Sequence, residues 1–220
     1  MAIGEIVGGA AAIWHFNGNS LDASGNGLNL TDNNGPTNVV GKFGGAKQYV
    51  SASSQWSGTG APSQLDWTDV FTWMCWFNRT SGTDGAVMSK SSSGSGKLRR
   101  LYMNNDTTWH FLISDVTGGD VSTGATTTGK WYFLAGVYDG TGGTQKIWLG
   151  DGTSLVKSQN PVSGTPGSVS SDEFAIGRDG SFGNNFNGLI DEAVVFHKAL
   201  SDQEIKKYYY WALGRTNASL

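Results

Sequence analysis

Cysteine is almost absent from this chain: Cys75 is the only one, so no intrachain disulfide can form. Its neighbours Trp73, Met74, Trp76 and Phe77 read as a buried environment in which the thiol behaves as a small hydrophobe. Charge is sparse too, at 15% of residues against a usual ~25%. Lys and Arg total 15, the net charge is −3, and the densest basic clusters are only Lys97-Leu98-Arg99-Arg100 and Lys206-Lys207. That distribution leaves no electrostatic footprint for nucleic acid. No apolar run approaches the ~18 residues of a membrane span. The start, Met1 to Ala12, resembles a signal h-region only loosely, with an acid at Glu5 and no basic residue before Lys42, so it is read as no signal peptide.

What the chain has is glycine, 33 residues, and large aromatics: nine Trp, ten Phe and seven Tyr. Glycine at about twice the usual ~7% implies many turns, and aromatics suit pleated, half-buried surfaces. A length of 220 residues fits one all-β domain with a sizeable core. Strand-like segments recur near residues 11–17, 46–51, 70–78, 85–90, 98–104, 108–115, 130–139, 144–149, 153–158, 172–178 and 187–197. Between them Asn17-Gly18, Asn26-Gly27, Asn34-Gly35 and Asp139-Gly140 supply residues that tolerate turn geometry.

In Phe71 to Phe77 the residues Phe71, Trp73, Cys75 and Phe77 share one face, and Met74 and Trp76 the other. A strand apolar on both faces belongs in the middle of a stack, and Lys130 to Asp139 reads likewise. One helix is predicted. Ser201 and Glu204 form a capping box, Gly214 stands where a terminating glycine belongs, and Ile205, Tyr208, Tyr209 and Ala212 make an apolar stripe that can lie on a sheet edge. The division is an N-terminal arm 1–10, a jelly roll 11–212 and a tail 213–220.

The order of local motifs carries a resemblance. It runs from Trp14-His15-Phe16-Asn17-Gly18-Asn19-Ser20-Leu21-Asp22 through Gly41-Lys42-Phe43-Gly44-Gly45-Ala46, Phe71 to Trp76, Gly129 to Gly140 and Ile176-Gly177-Arg178 to Gly188-Leu189-Ile190-Asp191-Glu192. This resembles the laminin-G-like, pentraxin-like jelly roll of the concanavalin A-like lectin and glucanase superfamily over about residues 10–212. The resemblance implies two antiparallel sheets packed face to face, with binding on the concave face or its rim loops. It leaves function open, since the fold hosts lectins, adhesion modules, glycosidases and structural domains.

A glycosidase needs two carboxyl groups flanking the bond. The chain has only four Glu (Glu5, Glu173, Glu192 and Glu204), and none has an acidic partner two or four residues away on a strand. Asp172-Glu173 and Asp191-Glu192 are adjacent and would point to opposite faces. The three histidines, His15, His110 and His197, show no metal spacing and read as structural or surface residues. The resemblance further implies a structural calcium between the first strand's loop and the last strand, with Asp191, Asp22 and Asn19 as ligands and Asn17 and Ser24 able to contribute. The alternative is that Asp191 accepts amide hydrogen bonds from the Ser24 to Gly27 turn and needs no metal.

Sugars require an aromatic platform and polar groups for their hydroxyls. The loop containing Arg178, Asp179, Phe182, Asn184, Asn185 and Phe186 offers both, and Trp56 and Trp67 offer a second platform, with ordinary loop packing as the alternative for each. The expected function is a non-catalytic, lectin-like recognition or adhesion domain displayed on a surface and binding a glycan or cell-surface polysaccharide. The alternative from another class is a structural or decoration protein of an assembly such as a phage virion, with self-association or other assembly proteins as partners. A glycoside hydrolase is the weakest of the three.

Overall fold

A computed structural model describes residues 8–82, 84–91, 96–180 and 183–217, the side chains of 215–217 excepted. Fifteen strands among the described residues form two antiparallel sheets. The first follows the order β13-β12-β11-β6-β15-β4-β3, where β13 is Leu155–Pro161, β12 Thr144–Gly150, β11 Trp131–Tyr138, β6 Phe71–Arg79, β15 Gly188–Phe196, β4 Gly45–Tyr49 and β3 Thr37–Val40. Strand β1 (Ala12–Trp14) also pairs with β15. The second sheet runs β10-β9-β8-β7-β14-β5-β2, with β10 Asp120–Ala125, β9 Thr108–Ile113, β8 Leu98–Met103, β7 Gly85–Ser91, β14 Phe174–Ile176, β5 Trp56–Gly58 and β2 Thr31–Asn33. The expected all-β, two-sheet jelly-roll sandwich with one C-terminal helix is what the chain forms.

Strand alternation explains the core. Phe71, Trp73, Cys75 and Phe77 of β6 point between the sheets, where they meet Leu101, Met103, Trp109, Phe111 and Ile113 of β8 and β9. Burial holds the Cys75 thiol up and protonated. The opposite faces of β6 and β11 place Met74, Trp76, Phe133, Ala135 and Val137 on the outside of the first sheet. That face would be a large exposed apolar patch, and helix α1 (Asp202–Asn217) covers it with Ile205, Tyr208, Tyr209 and Ala212. Tyr209 stacks on Trp76 at 5.7 Å between ring centroids. The helix therefore lies across a sheet face, where an edge position was expected.

The capping box is present: the Ser201 amide and hydroxyl donate to Glu204 Oε2 at 2.8 and 2.9 Å, and the Glu204 amide donates to Ser201 Oγ at 3.3 Å. Gly214 does not end the helix, which runs to Asn217, so the expected tail begins inside it. Gly150 lies so close beneath the Tyr209 ring that any side chain there would collide with it. Four strands had no counterpart in the predicted set: β2 (TDN), β3 (TNVV), β5 (WSG) and β10 (DVSTGA). All but β5 are sheet edges: β2 and β3 are exposed on nearly every residue, and β10 turns Val121 and Thr123 inward but offers only one apolar side chain there, too little alternation to mark a strand.

Candidate functional site

The predicted sugar loop disperses. Phe186 is 1% exposed and packs edge-on against Phe77 in the inter-sheet core, so it is no platform. It is buried because its amide donates to Gly177 O and draws the chain inward. Trp56 lies on β5, but its ring carries the Arg178 guanidinium 3.5 Å above it, and Arg178 Nη2 donates to Glu173 Oε2 at 2.5 Å. The guanidinium, held by Glu173, thus covers one face of the Trp56 ring. Trp67 is buried and stacks on His197 at 5.1 Å. Asn185 forms isolated backbone bridges to Ala86 and Arg178. Phe182 lies outside the described residues.

The predicted calcium ligands do not converge. Asp22 closes its own loop: Oδ1 accepts from the amides of Ile13 and Ser24, and Oδ2 from the Leu28 amide and the Ser24 hydroxyl, at 2.8–3.0 Å. Asn19 Oδ1 accepts the Leu21 amide. Asp191 instead takes the amides of Lys42 and Phe43 on Oδ2, both at 2.9 Å, and a side chain on Gly41 would strike that same oxygen. Asp191 is thus a latch, but it holds the 41–45 loop rather than the Ser24 to Gly27 turn. These three residues serve three separate hydrogen-bond sets, and no cluster of three or more His, Cys, Asp or Glu exists among the described residues. These three side chains therefore do not by themselves assemble a calcium cage of six to eight oxygens, although Asp191 Oδ1 is buried without a hydrogen-bond partner.

Asp191 and Glu192 also break the expected alternation. Strand β15 has a bulge between Asp191 and Val194, and Glu192 adopts φ +49° within it. Glu192 bonds His15 Nδ1 at 2.9 and 3.0 Å. Burial pushes the Asp191 carboxyl up to about 7, the Glu192 charge adds to the rise, and the Phe43 and Lys42 amides work against it.

The outer face of the second sheet gathers the groups that sequence reasoning did not single out. Alternation along β8 sends Arg99 inward, where Nη1 and Nη2 donate to Trp67 O and Gly167 O at 2.6 and 2.5 Å, and sends Arg100 and Tyr102 outward. Tyr102 pairs in register with His110 on β9, and Arg100 with Ser89 on β7. The result is a cluster of planar groups: the Arg100 guanidinium sits 4.1 Å from the Tyr102 ring centroid, and the His110 ring lies 5.2 Å from it, tilted by 37°, with Tyr102 and His110 each 8% exposed.

Carboxylates border this cluster. Arg100 Nη1 donates to Asp179 Oδ2, and Ser91 Oγ donates to Asp179 Oδ1 at 2.9 Å. His110 Nδ1 is 2.9 Å from Asp120 Oδ1, and its Nε2 is 3.6 Å from Asp106 Oδ2. The hydrogen bond to Asp120 raises the His110 pKa against the effect of burial. Asn184 Nδ2 donates to Asp84 Oδ2 at 2.7 Å, and burial raises the Asp84 carboxyl, with the Asp179 charge contributing. Of the residues predicted to contact sugar, Asp179 and Asn184 therefore lie beside the cluster of Arg100, Tyr102 and His110. The signal was available: Arg100 and Tyr102, like His110 and Asp120, sit at spacings that put them on one face of a strand or hairpin.

A family model described as the concanavalin A-like lectin/glucanases superfamily, laminin G type, matches residues 43–206. No curated protein sequence matches the chain. Among solved structures, domain 4 of AbnA, a GH43 extracellular arabinanase from Geobacillus stearothermophilus in complex with arabinotriose, superposes with a TM-score of 0.67 at 17% identity, over 90% of this chain and 97% of that one. The binding domain of botulinum neurotoxin DC in complex with SialylT gives 0.66 at 11% identity, over 94% of this chain and 52% of that one. Trypanosoma rangeli sialidase in complex with the inhibitor DANA gives 0.60 at 14% identity, and this chain spans 30% of it. At such identities these likenesses establish the fold.

Proposed function

This chain belongs to the laminin G-like family of the concanavalin A-like lectin/glucanases superfamily, and we propose that it is a non-catalytic carbohydrate-binding domain whose site is the outer face of the second sheet. The observation that carries the reading is the Arg100, Tyr102 and His110 cluster flanked by Asp179, Asp84 and Asn184. Planar groups offer contact to the C–H face of a sugar, and fixed carboxylate and amide groups accept from and donate to its hydroxyls. The folds of an arabinotriose-bound domain and a toxin binding domain support the same reading.

The non-catalytic part rests on how the carboxylates are used. Asp179 is held by Arg100 and Ser91, and Asp106 and Asp120 both face His110. Asp84 is the carboxyl on this face whose raised pKa suits a proton donor, so the reading is exposed there: hydrolysis of a bound oligosaccharide that disappears in Asp84→Asn would overturn it. Glycan-array screening followed by titration of Tyr102→Ala and Asn184→Ala tests the site. Both variants weaken binding by about tenfold, or about 1.4 kcal/mol. Undiminished binding in both would refute the placement.

Residues 1–7 and 218–220 lie outside the described residues. The partner in this proposal is a glycan, and the described residues contain no helix long and apolar enough to cross a membrane.

A further inference from the structure

A second depression, away from the face just described, opens where the two sheets part at the edge. Strand β10 of the second sheet packs over β12 and β13 of the first. At one end the edges are stitched together: Asn160 Nδ2 donates to Asp120 O at 2.8 Å, and Thr117 and Ser163 form a bridge. At the other end β10 shifts register between Thr123 and Ala125 around a glycine with no side chain, Gly124. The gap left there is about 250 Å³, lined by Thr123, Tyr132, Leu149, Asp151, Ser154 and Val156 together with Gly124 and Ala125.

Its chemistry divides into floor and rim. Tyr132, Leu149 and Val156 supply apolar surface, and Val156 is 54% exposed although it faces this gap. An apolar side chain left that open on a strand that could bury it marks surface available for contact. Asp151, the sole charged residue in the lining, is held by its own turn: Oδ1 accepts the amides of Thr153 and Ser154 at 2.8 and 2.7 Å and both of their hydroxyls. Those bonds keep it ionised, and its Oδ2 accepts no hydrogen bond among the described residues. Thr123 Oγ1 is buried with no hydrogen-bond partner, which is costly unless another group supplies one.

The rim is also rigid, and helix α1 makes it so. The Tyr209 hydroxyl donates to Ser154 O and accepts from the Gly152 amide, both at 2.8 Å, clamping the β12–β13 turn from behind. A binding group that needs no ordering on contact saves the entropy of fixing it. The helix thereby covers one sheet face and at the same time sets the geometry of a rim on the far side of the turn.

We infer that this depression is a second saccharide site that takes one uncharged sugar ring, its C–H face against Tyr132, Leu149 and Val156 and its hydroxyls on Asp151 Oδ2 and the Ser154 hydroxyl. The single negative charge and the absence of a lining cation turn away acidic sugars. A bare hydrocarbon would leave the carboxylate unmatched. The inference stands on its own residues and does not depend on the face centred on Tyr102.

Amide chemical-shift mapping of the full chain tests it, using glucose, galactose, arabinose and N-acetylneuraminic acid separately at millimolar concentration. At least one neutral sugar shifts the amides of residues 123–125 and 151–156, N-acetylneuraminic acid does not, and Asp151→Asn weakens the effect about tenfold. Gly124→Leu, whose side chain has open space toward Leu149, fills the gap and abolishes the shifts while leaving those at Arg100, Tyr102 and His110 intact. The inference fails if no neutral sugar moves 123–125 and 151–156, if N-acetylneuraminic acid moves them equally, or if the shifts survive Gly124→Leu. Shifts at 100–110 alone would refute this site and uphold the first.

Discussion

The outer faces of the two sheets are built from the same alternating strands and meet opposite fates. On the first sheet the outward residues are Met74, Trp76, Phe133 and Val137, and the chain spends its C-terminal helix to cover them. On the second sheet the outward residues are Ser89, Arg100, Tyr102, His110 and Asp120, and no helix among the described residues covers them. An apolar face must be buried and so belongs to stability. The polar face is paired within itself, with Tyr102 and His110 each 8% exposed and Ser89 at 0%, and what it keeps at its margin is polar groups that can meet a ligand.

The sharpest way to break this contrast is to truncate one aromatic on each face. Trp76→Ala removes a fully buried ring that stacks on Tyr209, and denaturant unfolding should show a loss of about 3–5 kcal/mol with sugar affinity unchanged in the fraction that remains folded. Tyr102→Ala, whose ring is 8% exposed, should lower stability by less than Trp76→Ala, while weakening sugar binding about tenfold in the folded fraction. If the two variants exchanged these phenotypes, the assignment of faces would be wrong.

A smaller effect comes from the latch beneath the first sheet. Asp191 has a folded-state pKa of about 7 against an ordinary 3.8, so the native state holds a proton that the unfolded chain has released. Its stabilising contribution is complete below about pH 4, is lost as pH rises through 7, and is flat beyond. The total is on the order of a few kcal/mol. Asp191→Asn should remove this slope and be relatively more stable than the wild type at pH 8, as read by melting temperature across pH. Parallel pH profiles for the two proteins would contradict the latch.

The smallest expected effect is none. Asp22, Asn19 and Asp191 give their oxygens to amides of three different segments, so a chelator should leave the melting temperature where it was. A drop of several degrees, restored by added calcium, would show a stabilising ion and require the Asp191 loop to be rebuilt around it.

The two faces also differ in how legible they were. The buried architecture was readable because hydrophobic alternation marks it directly: the two-faced pattern of Phe71 to Phe77 sets β6 in the middle of the first sheet, and Ser201 with Glu204 marks the helix start. Edge strands such as Thr31–Asn33 and Asp120–Ala125 carry no such pattern. The site was harder, because it is assembled across β7, β8, β9 and the loop after β14 by register, which local sequence does not state. Arg99 and Arg100 look equivalent in sequence, yet one is a buried brace and the other the centre of the outer face. Phe186 looked like an exposed loop aromatic and is core, because backbone pairing to Gly177 turns it inward.

The central claim is that the outer face of the second sheet is where carbohydrate binds. A crystal structure of the chain with the oligosaccharide selected on a glycan array tests it most directly. The account predicts sugar density against Arg100, Tyr102 and His110, within hydrogen-bond reach of Asp84 or Asn184. Density on the helix-covered side of the first sheet, with this face empty, would contradict it.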